Sequence, residues 1–338
     1  MSRGAFVHAV ADRHAARHGK AEAPSASPVI GSATSIVCRD LMQQTGSFFP
    51  KAHVDADAMT NLAIAGYEVL GFDNVMPLFS VCHEVAALGC NVNWGDAYAM
   101  PESGKPIWSG LSDIRIPDNF LSHPACAAPL RSIAMLKKRL GDSAAVCGKV
   151  FGSWTLSYHL FGVEKFLMTT IDDPDATRAI LEQLLPVTIQ FARAQVEAGA
   201  DCIVLADHAT RDLCSPQAYQ TFLAPLHERL ASEIPAPVIL HICGNTSDRI
   251  AMIAKTGLAC FHWDTKSGPP ADIRKMAGEN LALMGGISNP TLLSGTPDEV
   301  AEMASQAVRG GIDVIGPECA IPLATPLRNL QAIAQVRR

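Results

Sequence analysis

The sequence predicts an α/β protein with a single (β/α)8 TIM barrel, and three observations support this prediction. Apolar runs rich in β-branched residues alternate with segments of helical periodicity, and we count eight such runs. Most of the runs end in Gly, Asn, Asp or Ser. The runs are apolar on both faces, so each strand needs cover on both sides, which a parallel barrel surrounded by helices supplies. A doubly wound open sheet is the alternative.

The N-terminal segment precedes this alternation. Residues 5 to 19 predict a short helix, and AEAPSASP at 21 to 28 predicts a linker because it has no periodicity. We therefore expect residues 1–27 to form an N-terminal helix and linker, and residues 28–338 to form the barrel domain.

The barrel domain contains all eight predicted strands. They cover residues 28–37, 74–79, 144–152, 202–209, 238–245, 260–266, 281–288 and 311–320. The clearest helices between them, 55–71, 173–199 and 296–311, begin near Asp, Ser or Thr in capping positions. Residues from about 80 to 143 fit the pattern less well, and we expect a hairpin and loop insertion that covers one end of the barrel like a lid.

Composition and charge exclude several classes of protein. Hydrophobic residues make up 48% of the 338 residues, which is typical of a well-filled core, and the net charge of -6 contains no long run of one sign. We therefore expect no nucleic-acid partner and no membrane association. The N-terminus has charges where a signal peptide needs an apolar centre, so we expect a cytoplasmic protein whose ten cysteines are reduced.

The motif LHICGN carries the strongest chemical signal. His241 and Cys243 are two residues apart on a predicted strand, so both side chains point to the same face near the carboxyl end of the strand. Cys319, in GPECAIP, ends the last predicted strand in the same way. Because the carboxyl ends of barrel strands meet at one rim, the three side chains can share one metal ion. The alternative is that they are three separate core residues.

One imidazole and two thiolates with an open fourth position are typical of a catalytic zinc site, since structural sites close with four protein ligands. Thiolates also favour zinc over magnesium. A thiol that binds such a zinc ion loses its proton and becomes a nucleophile at neutral pH. The reaction class that follows is methyl transfer to sulfur.

Other polar residues lie at predicted strand ends or inside apolar segments. Glu84, in VCHEVAALGC, is interpreted as a fourth zinc ligand or as the base for the thiol proton, and a position on a helix surface or a capping role is the alternative. Asp207 and His208 close the strand in VLADHA and should face the same rim. A place in the core, or a supporting role behind the ligands, is an equal alternative.

Three more residues are candidates for binding the substrate or cofactor. Asp264, in HWDTK, ends another predicted strand. Ser288 and Asn289 follow MGGI and could hold the substrate through polar contacts, although a turn alone would explain them.

Taken together, these motifs resemble the uroporphyrinogen decarboxylase superfamily, and within it the zinc-dependent methylcobamide:coenzyme M methyltransferases. The resemblance covers most of the chain after the linker. It rests on VEAGAD at 196–201, the strand that ends in Ala206 and Asp207, LHICGN, MGGIS, and GGIDVIGPECAIPLATPLRNLQA.

The resemblance implies a barrel with zinc bound by His241, Cys243 and Cys319. It also implies that a methyl group is transferred between a methylcobamide, which is a methylated corrinoid, and the thiol of coenzyme M or a similar small molecule. The chain has no D-x-H-x-x-G corrinoid-binding motif and no room for a corrinoid domain. The implied partner is therefore a separate corrinoid protein.

The chain also departs from its relatives. PVIGSATSIVCRDL lacks the arginines that would hold tetrapyrrole carboxylates, which disfavours decarboxylation, and HWDTK stands where relatives often have a glutamate. For the sulfonate of coenzyme M the available cations are Arg211 and Lys266. Demethylation of a small donor onto a corrinoid protein remains an alternative reaction. So does a uroporphyrinogen decarboxylase-like activity, and a zinc-binding scaffold without catalysis is the non-enzymatic alternative.

Overall fold

The computed structural model describes residues 2–16 and 27–337. The predicted helix at 5–19 is helical from Arg3 to Ala16, and the rest of that helix and most of the predicted linker lie outside the described residues. The strands are β1 Val29–Ile30, β2 Asn74–Val75, β3 Val92–Asn93, β4 Glu102–Ser103, β5 Ala145–Phe151, β6 Cys202–Ala206, β7 Val238–Ile242, β8 Cys260–Trp263, β9 Ala282–Ile287 and β10 Val314–Pro317.

The helices surround the strands. They are α1 Arg3–Ala16, α2 Arg39–Thr45, α3 Lys51–Val54, α4 Ala56–Glu68, α5 His83–Ala87, α6 Pro124–Leu140, α7 Ser153–Phe161, α8 Val163–Asp172, α9 Pro174–Glu197, α10 Pro216–Ala218, α11 Ala224–Glu233, α12 Ile250–Ile253, α13 Pro270–Ala277, α14 Asn289–Ser294, α15 Pro297–Arg309 and α16 Leu327–Ala332. Residues 219–223 join α10 to α11 as a π-helical segment. In the described part of the chain, no helix is long and apolar enough to cross a membrane.

Eight parallel strands form a nearly closed barrel in the order β1-β10-β9-β8-β7-β6-β5-β2. The predicted (β/α)8 barrel is therefore confirmed, and each of the eight barrel strands lies inside one of the eight apolar runs. The strands are shorter than the runs because the last residues of several runs leave the sheet and form the loops at its carboxyl edge.

The barrel closes between β1 and β2 through a side chain. Asn74 Oδ1 accepts a hydrogen bond from the backbone N–H of Ser32 (2.9 Å), and Asn74 Nδ2 donates to Ser32 O (2.8 Å). The Asp73 N–H also donates to Ile30 O (2.7 Å). A Cβ at residue 31 would lie 2.5 Å from Asn74 Oδ1, so Gly31 allows the amide to sit against the backbone.

Helix α1 covers the amino-terminal end of the barrel. Phe6 and Val10 are fully buried against the residues that begin the strands, among them Cys147, Cys202 and Cys260. The N-terminal extension thus contributes to the core, and the other end of the barrel carries the loops that follow the strands.

Residues 80–143 contain the predicted hairpin as the antiparallel pair β3 and β4. The same range contains α6, which packs on α4 and β5 as a barrel helix. Val81, before α5, and Met100, in the hairpin loop, line a cavity at the carboxyl end of the strands.

Candidate metal centre

Three potential metal ligands meet at the carboxyl end of the barrel. His241 lies on β7, Cys243 follows it, and Cys319 follows β10. His241 Nε2 is 2.9 Å from Cys243 Sγ and 3.6 Å from Cys319 Sγ, and the two sulfur atoms are 2.8 Å apart. The three ligand atoms all lie within 4.8 Å of one another, so a single ion can contact all of them.

The two cysteines differ in their readiness to ionise. The Cys243 thiol donates to Cys319 Sγ, and this hydrogen bond, with help from His241 and the backbone of Ala320, lowers the pKa of Cys319 to about 4. The pKa of Cys243 is raised well above its ordinary value, first by the same hydrogen bond and then by burial. Cys319 is therefore the first of the two thiols to ionise, and a cation would favour ionisation of the second thiol.

A second histidine fixes the tautomer of His241. His262 lies beside His241 in the register of β7 and β8, and its Nε2 is 2.7 Å from Pro317 O. A carbonyl oxygen only accepts, so Nε2 of His262 carries a proton. Burial lowers the pKa of His262 well below its ordinary value, which keeps the ring neutral and leaves Nδ1 as an acceptor.

His241 Nδ1 lies 2.8 Å from His262 Nδ1 and 3.3 Å from the backbone oxygen of His262. Because both of these atoms are acceptors, Nδ1 of His241 carries the proton and donates it. The Nε2 lone pair then faces the two sulfur atoms. This arrangement would suit His241 to bind a metal ion through Nε2. The imidazole of His262 would then take the place of the carboxylate or carbonyl that usually supports a metal-binding histidine.

The loop after Cys243 is held by Asp264. Its carboxylate accepts from the backbone N–H groups of Gly244 (2.8 Å) and Lys266 (2.9 Å). Gly244 has a φ of +80°, and a Cβ there would lie 2.6 Å from Thr210 Oγ1. Both hydrogen bonds of Asp264 are with backbone N–H groups of the loops. A role of Asp264 in cofactor binding stays a prediction.

The loop that carries Cys319 is held by the neighbouring residue Glu318, which was not predicted as a site residue from the sequence. The Glu318 carboxylate accepts from the backbone N–H of Thr265 (3.0 Å) and of Asn289 (2.8 Å), and also from the Thr265 hydroxyl. Asn289 Nδ2 donates to Ala320 O (2.8 Å), and Ser288 caps α14. A substrate contact by Ser288 or Asn289 remains a prediction, and Asn289 Oδ1 is buried without a hydrogen-bond partner.

Asp207 lines the cavity beside the candidate ligands, and its carboxylate is fixed by contacts with Thr155 and His227. Its Oδ1 accepts from the backbone N–H (2.9 Å) and hydroxyl (3.0 Å) of Thr155, and its Oδ2 lies 3.3 Å from His227 Nε2. Gly152 packs so closely on this carboxylate that a Cβ would lie 2.1 Å from it. His208 also lines the cavity and is exposed.

Glu84, in α5, is buried away from the three ligands. Its Oε1 accepts from the backbone N–H of Phe151 (2.9 Å), and its Oε2 is buried without a partner. Burial raises the pKa of Glu84 to about 7. The carboxylate is not part of the group of ligand atoms formed by His241, Cys243 and Cys319, so it would have to move to bind the same ion.

His241, Cys243 and Cys319 line a cavity of about 330 Å³. Lys149, from the middle of β5, also lines it and is only 5% exposed. This lysine was not predicted as a site residue from the sequence, although its position inside the apolar run at 144–152 is a signal. Arg211 and Lys266, the two cations that the sequence offers for a sulfonate, are exposed and do not line the cavity.

Several known proteins are similar to this chain over most of its length. The model of the uroporphyrinogen decarboxylase (URO-D) family matches residues 12–338. A methylated-thiol:coenzyme M methyltransferase of Methanosarcina mazei is 31% identical over 311 residues, which cover 91% of this chain and 83% of that protein. A methylcobamide:CoM methyltransferase of Methanosarcina barkeri is 32% identical over 301 residues, covering 88% and 89%.

A solved structure described as a methyltransferase from Methanosarcina mazei superposes with a TM-score of 0.91 at 30% identity, covering 97% of this chain and 98% of the other.

Proposed function

This chain belongs to the uroporphyrinogen decarboxylase family, and we propose that it transfers a methyl group from a methylated corrinoid to a thiol with a zinc ion held by His241, Cys243 and Cys319. Its similarity to methylcobamide:CoM methyltransferases makes it a corrinoid-dependent methyltransferase. The zinc ion and the separate corrinoid protein are the finer parts of the proposal.

The observation that carries the proposal is the convergence of one imidazole and two thiols from strands that are far apart in sequence. Three protein ligands of this type fit zinc with a fourth position for a substrate. In that position zinc would keep a substrate thiol deprotonated and therefore nucleophilic.

The residues of this chain would prepare that step. His262 keeps the Nε2 lone pair of His241 directed at the two sulfur atoms, and Asp264 and Glu318 hold the two ligand loops. Val81 and Met100 line the cavity and are partly exposed, so they lie where a methyl donor on another protein would approach.

Glu84 and Asp207 remain the proposed catalytic carboxylates. Glu84 Oε2 has no partner, and the pKa of about 7 is suited to accepting the proton that a thiol releases at neutral pH. Asp207 would orient the rim of the cavity through Thr155 and His227.

Two alternative reactions use the same site. The reverse half-reaction would demethylate a small donor onto a corrinoid. Decarboxylation of a tetrapyrrole is less well supported, because none of the described residues that line the cavity is an arginine. A small-molecule thiol, a separate corrinoid protein and a cytoplasmic location without nucleic-acid or membrane contacts stay predictions.

The test is to incubate the protein with methylcobalamin and a panel of thiols and to follow the loss of the methylcobalamin absorbance. Zinc is measured by elemental analysis on the same samples. Cys319→Ser should lose both the metal and the activity, whereas Cys126→Ala, a change at a buried cysteine of α6, should keep both. A fully active Cys319→Ser variant would disprove the zinc mechanism.

A further inference from the structure

A buried hydrogen-bond network leads from the helix that contains α11 to the cavity wall. The Tyr219 hydroxyl lies 3.0 Å from His227 Nδ1, and His227 Nε2 lies 3.3 Å from Asp207 Oδ2. Tyr219 and His227 are fully buried, and Asp207, which lines the cavity, is 2% exposed. Burying three polar side chains is costly unless each of them is hydrogen-bonded, so the order of donors and acceptors in this network matters.

The positions of the protons follow from the partners of Tyr219. In residues 2–16 and 27–337 the structure gives the Tyr219 hydroxyl no partner other than His227 Nδ1. The hydroxyl proton is therefore used only if it is donated to Nδ1, which must then carry no proton. The ring proton of His227 is on Nε2 and is donated to Asp207 Oδ2. With Nδ1 protonated instead, the Tyr219 O–H would be buried without an acceptor, which is unfavourable.

Further donors reach the other oxygen of Asp207. The backbone N–H and the hydroxyl of Thr155 donate to Oδ1, at 2.9 and 3.0 Å. The Thr155 hydroxyl oxygen accepts in turn from the backbone N–H of His208 (2.7 Å). Every bond of the network thus directs a proton toward Asp207, and bonds arranged in this way strengthen one another. A carboxylate accepts about four hydrogen bonds, so one acceptor position of Oδ2 is left for a donor in the cavity.

The π-helical segment at 219–223 brings Tyr219 and His227 to one face of their helix. In an uninterrupted α-helix, residues eight positions apart point about 80° away from each other, because each residue turns the helix by about 100°. The π turn contains one additional residue, which cancels most of this difference. The two ring centroids are accordingly only 5.6 Å apart. Such segments are frequent at functional sites.

Asp207 is also joined to a candidate metal ligand. Its backbone N–H donates to His241 O (3.1 Å), and Ala206 pairs with His241 in the register of β6 and β7. The backbone of Asp207 is therefore fixed beside the metal centre, while its side chain is fixed by Thr155 and His227. The orientation of the carboxylate thus depends on Tyr219 and His227, which belong neither to the cavity wall nor to the three candidate ligands.

We infer that Tyr219 and His227 are positioning residues for methyl transfer, because they hold the Asp207 carboxylate in one orientation, with both oxygens as acceptors, at the cavity wall. The inference rests on the proposed function, in which Asp207 is a catalytic carboxylate. It adds that the network behind Asp207 sets the rate of the reaction without contributing to metal binding.

The experiment changes single hydrogen bonds in the full-length, zinc-loaded protein. Tyr219→Phe removes only the hydroxyl, and His227→Leu removes both bonds of the imidazole. His227→Gln is the conservative variant, because its Nε2 can donate to Asp207 and its Oε1 can accept from Tyr219. Tyr67→Phe, at a half-buried tyrosine of α4, is the matched control. For each protein, kcat and KM are measured with methylcobalamin and a thiol, and zinc is measured by elemental analysis.

Displacement of a group near the reacting atoms can lower a rate by about 100-fold. We expect His227→Leu to lower kcat by roughly 10- to 100-fold and Tyr219→Phe to lower it by about 10-fold. In both variants KM should stay within about threefold and the zinc content should be unchanged, because neither residue contacts the substrate or the metal. His227→Gln and Tyr67→Phe should keep kcat within about threefold of the wild-type value.

NMR of the protein with isotope-labelled histidine tests the network independently of activity. The signal of His227 is identified by its absence from the spectrum of His227→Gln. In the wild-type protein it should show the proton on Nε2 and a hydrogen-bonded, unprotonated Nδ1. In Tyr219→Phe the Nδ1 signal should move to that of a nitrogen without a hydrogen-bond donor.

Four results would overturn the inference. If His227 carries its proton on Nδ1 in the wild-type protein, the bonds run in the opposite direction. If Tyr219→Phe and His227→Leu fold and keep kcat, the network only stabilises the fold. Equal losses in His227→Gln and His227→Leu would show that hydrogen bonding is not the cause, and a parallel loss of zinc would place the effect at the metal. Should His227→Leu fail to fold, Tyr219→Phe compared with Tyr67→Phe decides.

The proposed function can fail separately. If the wild-type protein methylates no thiol, methyl transfer is wrong and the positioning role falls with it. The NMR signals of the wild-type protein and of Tyr219→Phe still show whether the network holds Asp207 as an acceptor.

Discussion

The hydrogen bond from His241 to His262 can be tested by replacing His262. The side chain of His262 makes two buried hydrogen bonds, one from His241 Nδ1 at 2.8 Å and one to Pro317 O at 2.7 Å. His262→Phe removes both of them. The His241 N–H then keeps only the weaker contact with the backbone oxygen of residue 262, and the imidazole is free to rotate or to change tautomer.

Loss of a partner behind a metal-ligating histidine typically costs 10- to 100-fold in metal affinity, or about 1.4 to 2.7 kcal/mol. We expect His262→Phe to bind zinc weaker by about this factor. His262→Gln is the matched control, because its Oε1 can accept from His241 and its Nε2 can donate to Pro317 O. It should retain zinc affinity within about threefold.

Zinc affinity is measured by competition with a chromophoric chelator, and the free energy of unfolding is measured by urea denaturation of the zinc-free variants. A lower free energy of unfolding in the zinc-free variant would indicate a general loss of stability. An unchanged free energy of unfolding would place the loss of zinc affinity at the metal site. If His262→Phe, His262→Gln and the wild-type protein bind zinc equally, His262 does not set the tautomer of His241, and the reasoning is refuted.

Three further predictions concern single residues. Glu84 is 1% exposed and its pKa rises from 4.5 to about 7 on folding, so the native state holds this proton longer than the unfolded state, and stability should fall by about 3 kcal/mol as the pH rises from 4 to 8. Urea denaturation of Glu84→Gln should lack this part of the pH dependence, and an unchanged pH dependence would show that Glu84 ionises normally. Gly244→Ala should lower the zinc content, because the positive φ and the contact with Thr210 force the loop of Cys243 to shift; elemental analysis that finds full occupancy would contradict this. Phe6→Ala should cost about 3 to 5 kcal/mol in urea denaturation, because Phe6 is fully buried at the base of the barrel, and a loss below about 1 kcal/mol would mean that α1 contributes little to the core.

The predicted strands and the predicted hairpin correspond closely to the fold. Periodicity and turn residues are local signals, so the eight apolar runs identified all eight barrel strands. Cys319 could be joined to His241 and Cys243 because a parallel barrel brings the carboxyl ends of its strands to one rim.

The surroundings of the ligands were harder to predict. Glu318 precedes Cys319 directly, yet its contacts with Thr265 and Asn289 connect the ends of three strands. His262 was visible in FHWDTK, but its role depends on the register that sets it beside His241. Lys149 stands in an apolar run, where the sequence does not say whether a lysine faces solvent or the barrel interior.

The sequence by itself determined the barrel and identified the three candidate ligands, because strand periodicity and the chemistry of imidazole and thiol are properties of neighbouring residues. The tertiary structure alone decided which nitrogen of His241 faces the sulfur atoms and which cation lines the cavity. Those outcomes depend on strand register, on burial and on the hydrogen bonds of side chains that are distant in sequence, and these become defined only when the barrel closes.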